Sequence, residues 1–372
     1  MSEPLKILHT ADLHLDSPFE GLSAGKAGMR RSEQRELLQR LAALAGRENV
    51  DLVLLAGDLL DSDNSYYETG EELVRALGTM DVPVFISPGN HDRYTPKSPW
   101  ARLKLPGNVH VFSEPAITGV SLPELSACVY GAAFVEKHAG PLLRGFSAPK
   151  REGVRNLLCL HGEVGARESA YNPISVEELA ASGADYAALG HIHRASGLLR
   201  AGNTWYSWPG CPEGRGFDET GEKTVSLITL SDTGCTLETR CIAQRRYEVL
   251  TVDVSDTDPL LAVHTSLPDE TVRDVYRIVL TGEAEESPDL NRLHAVLDEL
   301  FFDLQLRDET RPRSSLWDRA GDDTLRGLFL KKLRAQYDAA SEEHERRRIE
   351  QAARWGLAAL DMREEVVRHD HP

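Results

Sequence analysis

Apolar and polar positions follow two rhythms along the first 240 or so residues. Short apolar runs at Leu5–His9, Asp51–Ala56, Val82–Ser87, Cys128–Ala132, Asn156–His161 and Asp185–Leu189 predict buried strands. Between the first two, Leu37, Leu41, Leu44 and Ala45 recur at helical spacing and share one face. Ser175–Ser182 reads as a further helix, stopped by Gly183. Thr204–Ser207, Thr224–Leu230 and Thr236–Ile242 read as hairpin-type β structure. Strands and helices mixed in this way imply an α/β layered domain with a two-sheet core over residues 1–243.

A boundary falls at Gln244–Arg246. Tyr247–Val254 then predicts a strand, Pro259–Leu267 a helix with proline in its first turn, and Val272–Leu280 a strand. Ser287 is placed to cap a helix from Pro288 to about Leu300, and Leu304–Arg307 reads as a short strand. These elements describe a small α+β domain over residues 246–308. Residues 308–321 are polar, contain Pro312 and Gly321, and read as a linker. The tail, 322–368, carries two helical stretches, at about 322–339 and 342–363. Leu325, Leu328, Phe329, Leu333 and Tyr337 mark the first, and Ile349, Ala353, Trp355, Leu357 and Leu360 the second. Either these helices pack within one domain or their apolar faces need a partner, because an isolated amphipathic helix is marginal in water.

Composition narrows the function classes. A chain of 372 residues exceeds one ordinary core and calls for two or three domains. No apolar run reaches about 18 residues, so no membrane span is expected. Leu5–His9 is too short for the apolar region of a signal peptide. Cys128, Cys159, Cys211, Cys235 and Cys241 form no CxxC pair and read as reduced thiols, which makes the cytoplasm the default compartment. The net charge of −17 argues against a nucleic-acid binder. Bound cations would offset aspartates used as ligands, however, and local patches weigh more than the sum. From Arg311 to Arg354 eleven Lys and Arg stand against eight Asp and Glu, which fits a solvated helix face or a DNA contact.

Five polar segments follow the apolar runs: Asp12-Leu13-His14, Gly57-Asp58, Gly89-Asn90-His91-Asp92, His161-Gly162 and Gly190-His191-Ile192-His193. Open α/β sheets place their sites at strand ends. In Asp-x-His and His-x-His, two side chains of an extended segment share one face. Oxygen and imidazole donors without thiolate suit Mn²⁺, Fe²⁺ or Zn²⁺. The adjoining glycines allow the backbone to turn tightly. His9 reads as a buried histidine steadying the first of these loops. Each motif is weak by itself, and their joint occurrence in this order is specific.

These blocks resemble the calcineurin-like metallophosphoesterase superfamily. The resemblance implies a four-layer α/β/β/α domain with a small capping domain and C-terminal helices. It implies two divalent ions, most simply Mn²⁺, with Fe²⁺ or Zn²⁺ as alternatives. Asp12, His14, Asp58 and His193 would hold one, and Asp58, Asn90, His161 and His191 the other. His91 would be the proton donor beside the scissile phosphate. The segments His9–Phe19 and Pro209–Phe217, with Glu219, Gly221 and Lys223, are similar to SbcD-type DNA repair exonucleases of the YhaO-like branch. That resemblance implies an exonuclease or endonuclease acting on DNA ends, an SMC-like coiled-coil ATPase docked on the tail, and homodimerisation. Where some members carry a histidine three residues after the bridging aspartate, this chain has Asp61. Arg215, Arg194 and Lys223 lie near the last motifs and could meet phosphates or be ordinary surface. The competing expectations are a small-molecule or cyclic-nucleotide phosphodiesterase with the same cage, and a non-enzymatic scaffold.

Overall fold

Period-two alternation sorts strand side chains onto opposite faces and so sets the layering. The computed structural model describes residues 3–62, 65–284, 286–312 and 316–360; the end of the tail expected at 361–368 lies outside them. In chain order the elements are β1 (Leu5–Thr10), α1 (Ala24–Glu48), β2 (Leu52–Leu55), α2 (Tyr67–Gly78), β3 (Val84–Ile86), α3 (Pro99–Arg102) and β4 (Val109–Val111). Next come β5 (Thr118–Leu122), β6 (Ala127–Gly131), β7 (Arg155–His161), β8 (Glu163–Val164), β9 (Pro173–Ile174), α4 (Val176–Ala181), β10 (Tyr186–Gly190), β11 (Leu199–Ala201) and β12 (Thr204–Ser207). The hairpin of β13 (Val225–Ser231) and β14 (Gly234–Arg240) follows. One six-stranded sheet has the order β14-β13-β1-β2-β3-β4, the other β11-β12-β10-β7-β6-β5.

Leu5, Ile7, Leu52 and Leu54 of the first sheet meet Leu157, Cys159, Tyr186 and Ala188 of the second in one core. The intervening residues Leu8, Val53 and Leu55 point the other way, onto Leu37, Leu41 and Leu44 of α1 and Leu73 and Leu77 of α2. Leu158, Leu160 and Leu189 pack outward with Leu179 of α4. The result is the expected four-layer α/β/β/α arrangement. Full burial of each such leucine or isoleucine contributes roughly 1.5–3 kcal/mol. Helix α1 begins at Ser23, whose side chain accepts from the Lys26 amide, and ends at Asn49 in the left-handed region. Ser175 and Glu178 close a capping box on α4.

The topology positions a site. β1, β2, β3 and β4 are mutually parallel, as are β6, β7, β10 and β12. Their C-terminal ends therefore share one edge of each sheet, and all five polar segments emerge there.

Cα packing divides the chain into two compact units. One comprises residues up to 250, 269–277 and 297–305; the other comprises 251–268, 278–296 and the described chain from 306 onward. The later elements are β15 (Tyr247–Asp253), α5 (Pro259–Ser266), β16 (Val275–Thr281), β17 (Glu283–Ala284), α6 (Leu290–Leu297), β18 (Asp303–Asp308), β19 (Arg311–Pro312), α7 (Leu325–Ala339) and α8 (Glu343–Leu360). β15, β16 and β18 form a three-stranded sheet.

Two expectations need correction. Asp289, not Ser287, caps α6: its carboxylate accepts from the Arg292 amide at 3.1 Å, so the helix starts two residues later than expected. Part of the expected linker is also structured. The Arg311 amide donates to the Gly282 carbonyl at 2.8 Å, and β19 pairs with β17 because these backbone groups find partners there. No helix among the described residues is long and apolar enough to cross a membrane.

Candidate metal centre

The loops after β1 and β2 are laced together by their backbones. The Asp12 amide donates to Gly57 O at 3.0 Å, His14 to Asp58 O at 3.0 Å, and Leu15 to Leu59 O at 2.9 Å. Four of the polar residues leave the ordinary backbone region: φ is 54° at Asp12, 43° at His14, 52° at Asp58 and 94° at His191. L-residues adopt such angles at a cost, and they concentrate where a site imposes them. The neighbouring glycines serve mainly close approach rather than the tight turning expected of all of them. At Gly190 a Cβ would stand 1.9 Å from Ala56 O, so glycine here lets the two sheets meet at the site. Gly57 is the exception with positive φ, 93°, and it also faces the His161 ring.

Asp92 holds the frame. Its buried carboxylate accepts from the amides of Gly89 (2.8 Å), Asp58 (3.2 Å), Leu59 (2.8 Å) and Leu60 (3.3 Å). One side chain thereby fixes the loops after β2 and β3 against each other. The sequence contained Asp92 in the Gly-Asn-His-Asp block, yet nothing in its spacing separates a loop organiser from a ligand.

Among the described residues, three groups of donor atoms converge within 4.8 Å: Asp12, His14 and His193; His14, Asp58 and His91; and Asp12, Asp58 and His161. His14 Nε2 and His193 Nε2 face each other at 3.2 Å. Asp58 Oδ2 is 3.7 Å from His14 Nε2 and 3.3 Å from His161 Nε2. Asn90 Oδ1 is 3.1 Å from His161 Nε2. His191 stands apart from these groups: its amide donates to both Asp12 oxygens at 3.1 Å, and its ring packs beside His161 and Tyr171. His9 is buried outside the cluster, with Nδ1 2.8 Å from the Tyr186 hydroxyl.

The outer contacts orient the imidazoles. His14 Nδ1 meets Asp61 Oδ1 (3.0 Å), His161 Nδ1 meets Ala56 O (2.9 Å), His193 Nδ1 meets Glu219 Oε1 (2.7 Å) and His91 Nδ1 meets Asp61 O (3.0 Å). The two Asp61 oxygens and Ala56 O can only accept, so His14, His161 and His91 carry a proton on Nδ1 and turn Nε2 the other way; His193 Nδ1 faces both the Glu219 carboxylate and, at 3.1 Å, Arg215 Nη2. Metal-ligating histidines are held in this way. Arg215 is not a free surface cation: it bonds Glu219 Oε1 at 2.7 Å and Asp61 Oδ1 at 3.3 Å. Asp61 and Glu219 have roles that sequence spacing did not reveal.

The electrostatics fit a cation. Burial pushes His14 and His191 down to about 4, so both are neutral at pH 7 and keep a lone pair. Burial raises the Asp12 carboxyl to about 6. Burial opposes charge on His161 and Asp58 alike, yet their mutual attraction holds His161 up to about 9 and Asp58 well below the ordinary carboxylate range. A metal-free centre thus keeps a proton on His161 that a cation must replace. Because this pKa is raised above the ordinary 6.5, the protonated ring stabilises the metal-free fold below pH 6.5, and that stability is lost as pH rises through 9. Melting temperatures of chelator-stripped protein should fall across this window, while Mn²⁺-loaded protein should show a flatter profile. Parallel profiles for the two forms would contradict the exchange of proton for metal.

Several known proteins are similar to this chain in sequence. The description Calcineurin-like phosphoesterase matches residues 5–195. The uncharacterized metallophosphoesterase YhaO of Bacillus subtilis (strain 168) is 30% identical over 347 residues, covering 87% of this chain and 82% of that protein. The DNA double-strand break repair protein Mre11 of Methanosarcina mazei is 28% identical over 266 residues, 68% of this chain but 41% of that protein. A component of the nuclease SbcCD of Bacillus subtilis is 25% identical over 265 residues, covering 60% of this chain and 66% of that protein.

Proposed function

The chain belongs to the calcineurin-like phosphoesterase family and carries the active site of a metal-dependent hydrolase; from that premise we propose that it is a two-metal DNA nuclease of the SbcD-type, YhaO-like branch, acting on DNA ends in repair. The observation that carries the phosphoester chemistry is the inward convergence of Asp12, His14, Asp58, Asn90, His161 and His193. In this reading Asp12, His14 and His193 hold one ion, Asn90, His161 and His191 the other, and Asp58 bridges. Mn²⁺ suits these donors, as do Fe²⁺ and Zn²⁺. Two such ions, when bound, supply Lewis acidity and an activated water.

The chain's own residues do the remaining work. The Asp61 carbonyl fixes His91 through Nδ1, so Nε2 can hand a proton to the departing oxygen. The His91 amide donates to Asp58 Oδ1 at 2.9 Å and couples the acid to the bridging carboxylate. The relatives named as a DNA repair protein and a nuclease support DNA as substrate. The capping segment 246–308 and the tail 322–368 are read as additions that a small substrate would not require. Leu325, Leu328 and Trp355 are exposed on α7 and α8, which suits docking of an SMC-like ATPase. A homodimer and a cytoplasmic location complete the reading.

A second feature favours DNA. Tyr66 and Tyr67 expose their side chains at the start of α2, and the Tyr66 amide is tied to Asp16 at 2.8 Å, two residues beyond His14. Exposed aromatics beside such a site can stack on bases. Replacing both with alanine should raise KM for single-stranded DNA by roughly 5- to 150-fold, the equivalent of about 1–3 kcal/mol. Turnover of bis(p-nitrophenyl) phosphate should stay unchanged. The reading as a whole is tested with end-labelled linear duplex and single-stranded DNA plus Mn²⁺: labelled ends should be shortened or cut. Inert DNA alongside rapid cyclic-nucleotide turnover would overturn it in favour of a small-molecule phosphodiesterase.

A further inference from the structure

The two groups of imidazoles are held by different chemistry. His14 and His193 each set Nδ1 against a carboxylate, Asp61 at 3.0 Å and Glu219 at 2.7 Å, and Arg215 Nη2 also lies 3.1 Å from His193 Nδ1. One guanidinium joins those two carboxylates: Arg215 Nη1 reaches Asp61 Oδ1 at 3.3 Å, and Arg215 Nη2 reaches Glu219 Oε1 at 2.7 Å. Glu219 Oε2 also takes the Arg215 amide at 2.9 Å and Nε at 3.3 Å. The Glu219 amide in turn donates to Gly216 O at 3.0 Å, so the turn between Arg215 and Glu219 is closed by its own backbone. Asp61, Arg215 and Glu219 are all largely screened from water, with side-chain exposures of 23%, 19% and 5%. In the other group, His161 gives Nδ1–H to the Ala56 carbonyl at 2.9 Å. The His191 ring packs on His161 and Tyr171, with no hydrogen bond to it found among the described residues.

We propose that Asp61, Arg215 and Glu219 form a charge bridge that locks His14 and His193 and makes the metal position they share the tighter of the two. The proposal rests on the two-metal reading above and concerns positioning residues, not catalytic ones. A carboxylate behind an imidazole makes it a stronger donor than a neutral carbonyl does, and it fixes the ring before a cation arrives. The bridge also leaves a net charge of −1 behind that position, two carboxylates against one guanidinium, which adds attraction for a divalent ion. Arg215 supplies no donor to the metal; it keeps both carboxylates from turning away.

Mn²⁺ alone, titrated calorimetrically into the chelator-stripped full chain, tests this without any substrate. Wild type should show two unequal sites. Asp61→Ala and Glu219→Ala should each weaken the tighter site by roughly 10- to 100-fold while moving the weaker one less than about threefold. Asp61→Asn and Glu219→Gln keep an acceptor oxygen and should lose less at that same site. They also decide the matter if the alanine variants fail to match wild type in circular dichroism. Two equal sites in wild type, unchanged affinities in the variants, or equal loss at both sites would overturn the proposal. Unequal Mn²⁺ sites in a protein that leaves DNA intact would refute the nuclease reading and leave this one standing. DNA cleavage by a protein with two equal sites would refute this one alone.

Discussion

Asp58→Ala is expected to lose bound metal and hydrolytic activity together. One carboxylate oxygen, Oδ2, lies 3.7 Å from His14 Nε2 and 3.3 Å from His161 Nε2, so Asp58 stands between both groups of donors. Its removal takes the shared anion from two positions at once. Loss of a partner outside the ligand shell typically costs 10–100-fold in metal affinity or activity, and removing a bridging ligand should exceed about 100-fold. The substitution also removes the main attraction that holds His161 near 9, so the metal-free protein should lose its stability change between pH 6.5 and 9. Metal content measured by mass spectrometry after gel filtration, beside turnover of bis(p-nitrophenyl) phosphate, checks the claim. Two retained metals per chain in the variant would show that Asp58 is not the bridge.

His91→Ala is expected to part these two properties. Turnover should fall by about 10²–10⁴-fold, the usual worth of a positioned general acid, while metal content stays at the wild-type level. The geometry gives the reason. His91 steadies Asp58 through its backbone amide, at 2.9 Å, and alanine keeps that amide. The ring is exposed and hangs from Asp61 O by Nδ1. His91 also falls within 4.8 Å of His14 and Asp58 donor atoms, which would suit a ligand as well as an acid. The variant separates these roles, because a ligand would take metal with it as Asp58 does. A leaving-group series sharpens the result. The defect should be largest for an alkoxide that needs a proton and smallest for p-nitrophenolate, which leaves without one.

Much of the arrangement is legible in the order of residues alone. The strand runs around Ile7, Val53, Leu158 and Ala187 announce themselves because residues buried on both faces leave no polar gap. The capping box at Ser175 and Glu178 and the apolar stripe of α1 are local, and local chemistry is written in local sequence. The ligand types are equally legible, since Asp12, His14, Asp58, Asn90 and His193 each follow a strand and His161 ends one. Helix α2 is not, because few of its residues, Leu73, Ala76 and Leu77 among them, are buried apolar positions within a polar stretch.

Beyond that point the chain's order carries no information about distance. Asp61 and Arg215 are 154 residues apart and 3.3 Å from each other; His193 and Glu219 look like separate features of separate loops until they meet at 2.7 Å. Asp92 reads as the last letter of a motif, and only the packing of two loops shows it gathering four amides. The positive φ values at Asp12, His14, Asp58 and His191 are likewise not written in the motifs; at the first three they accompany the backbone bonds that tie the loops after β1 and β2 together. Ligand identity follows from residue chemistry, which sequence states directly. The orientation of each imidazole follows from its partner at Nδ1, and those partners are brought there only when the loops at the strand ends fold together.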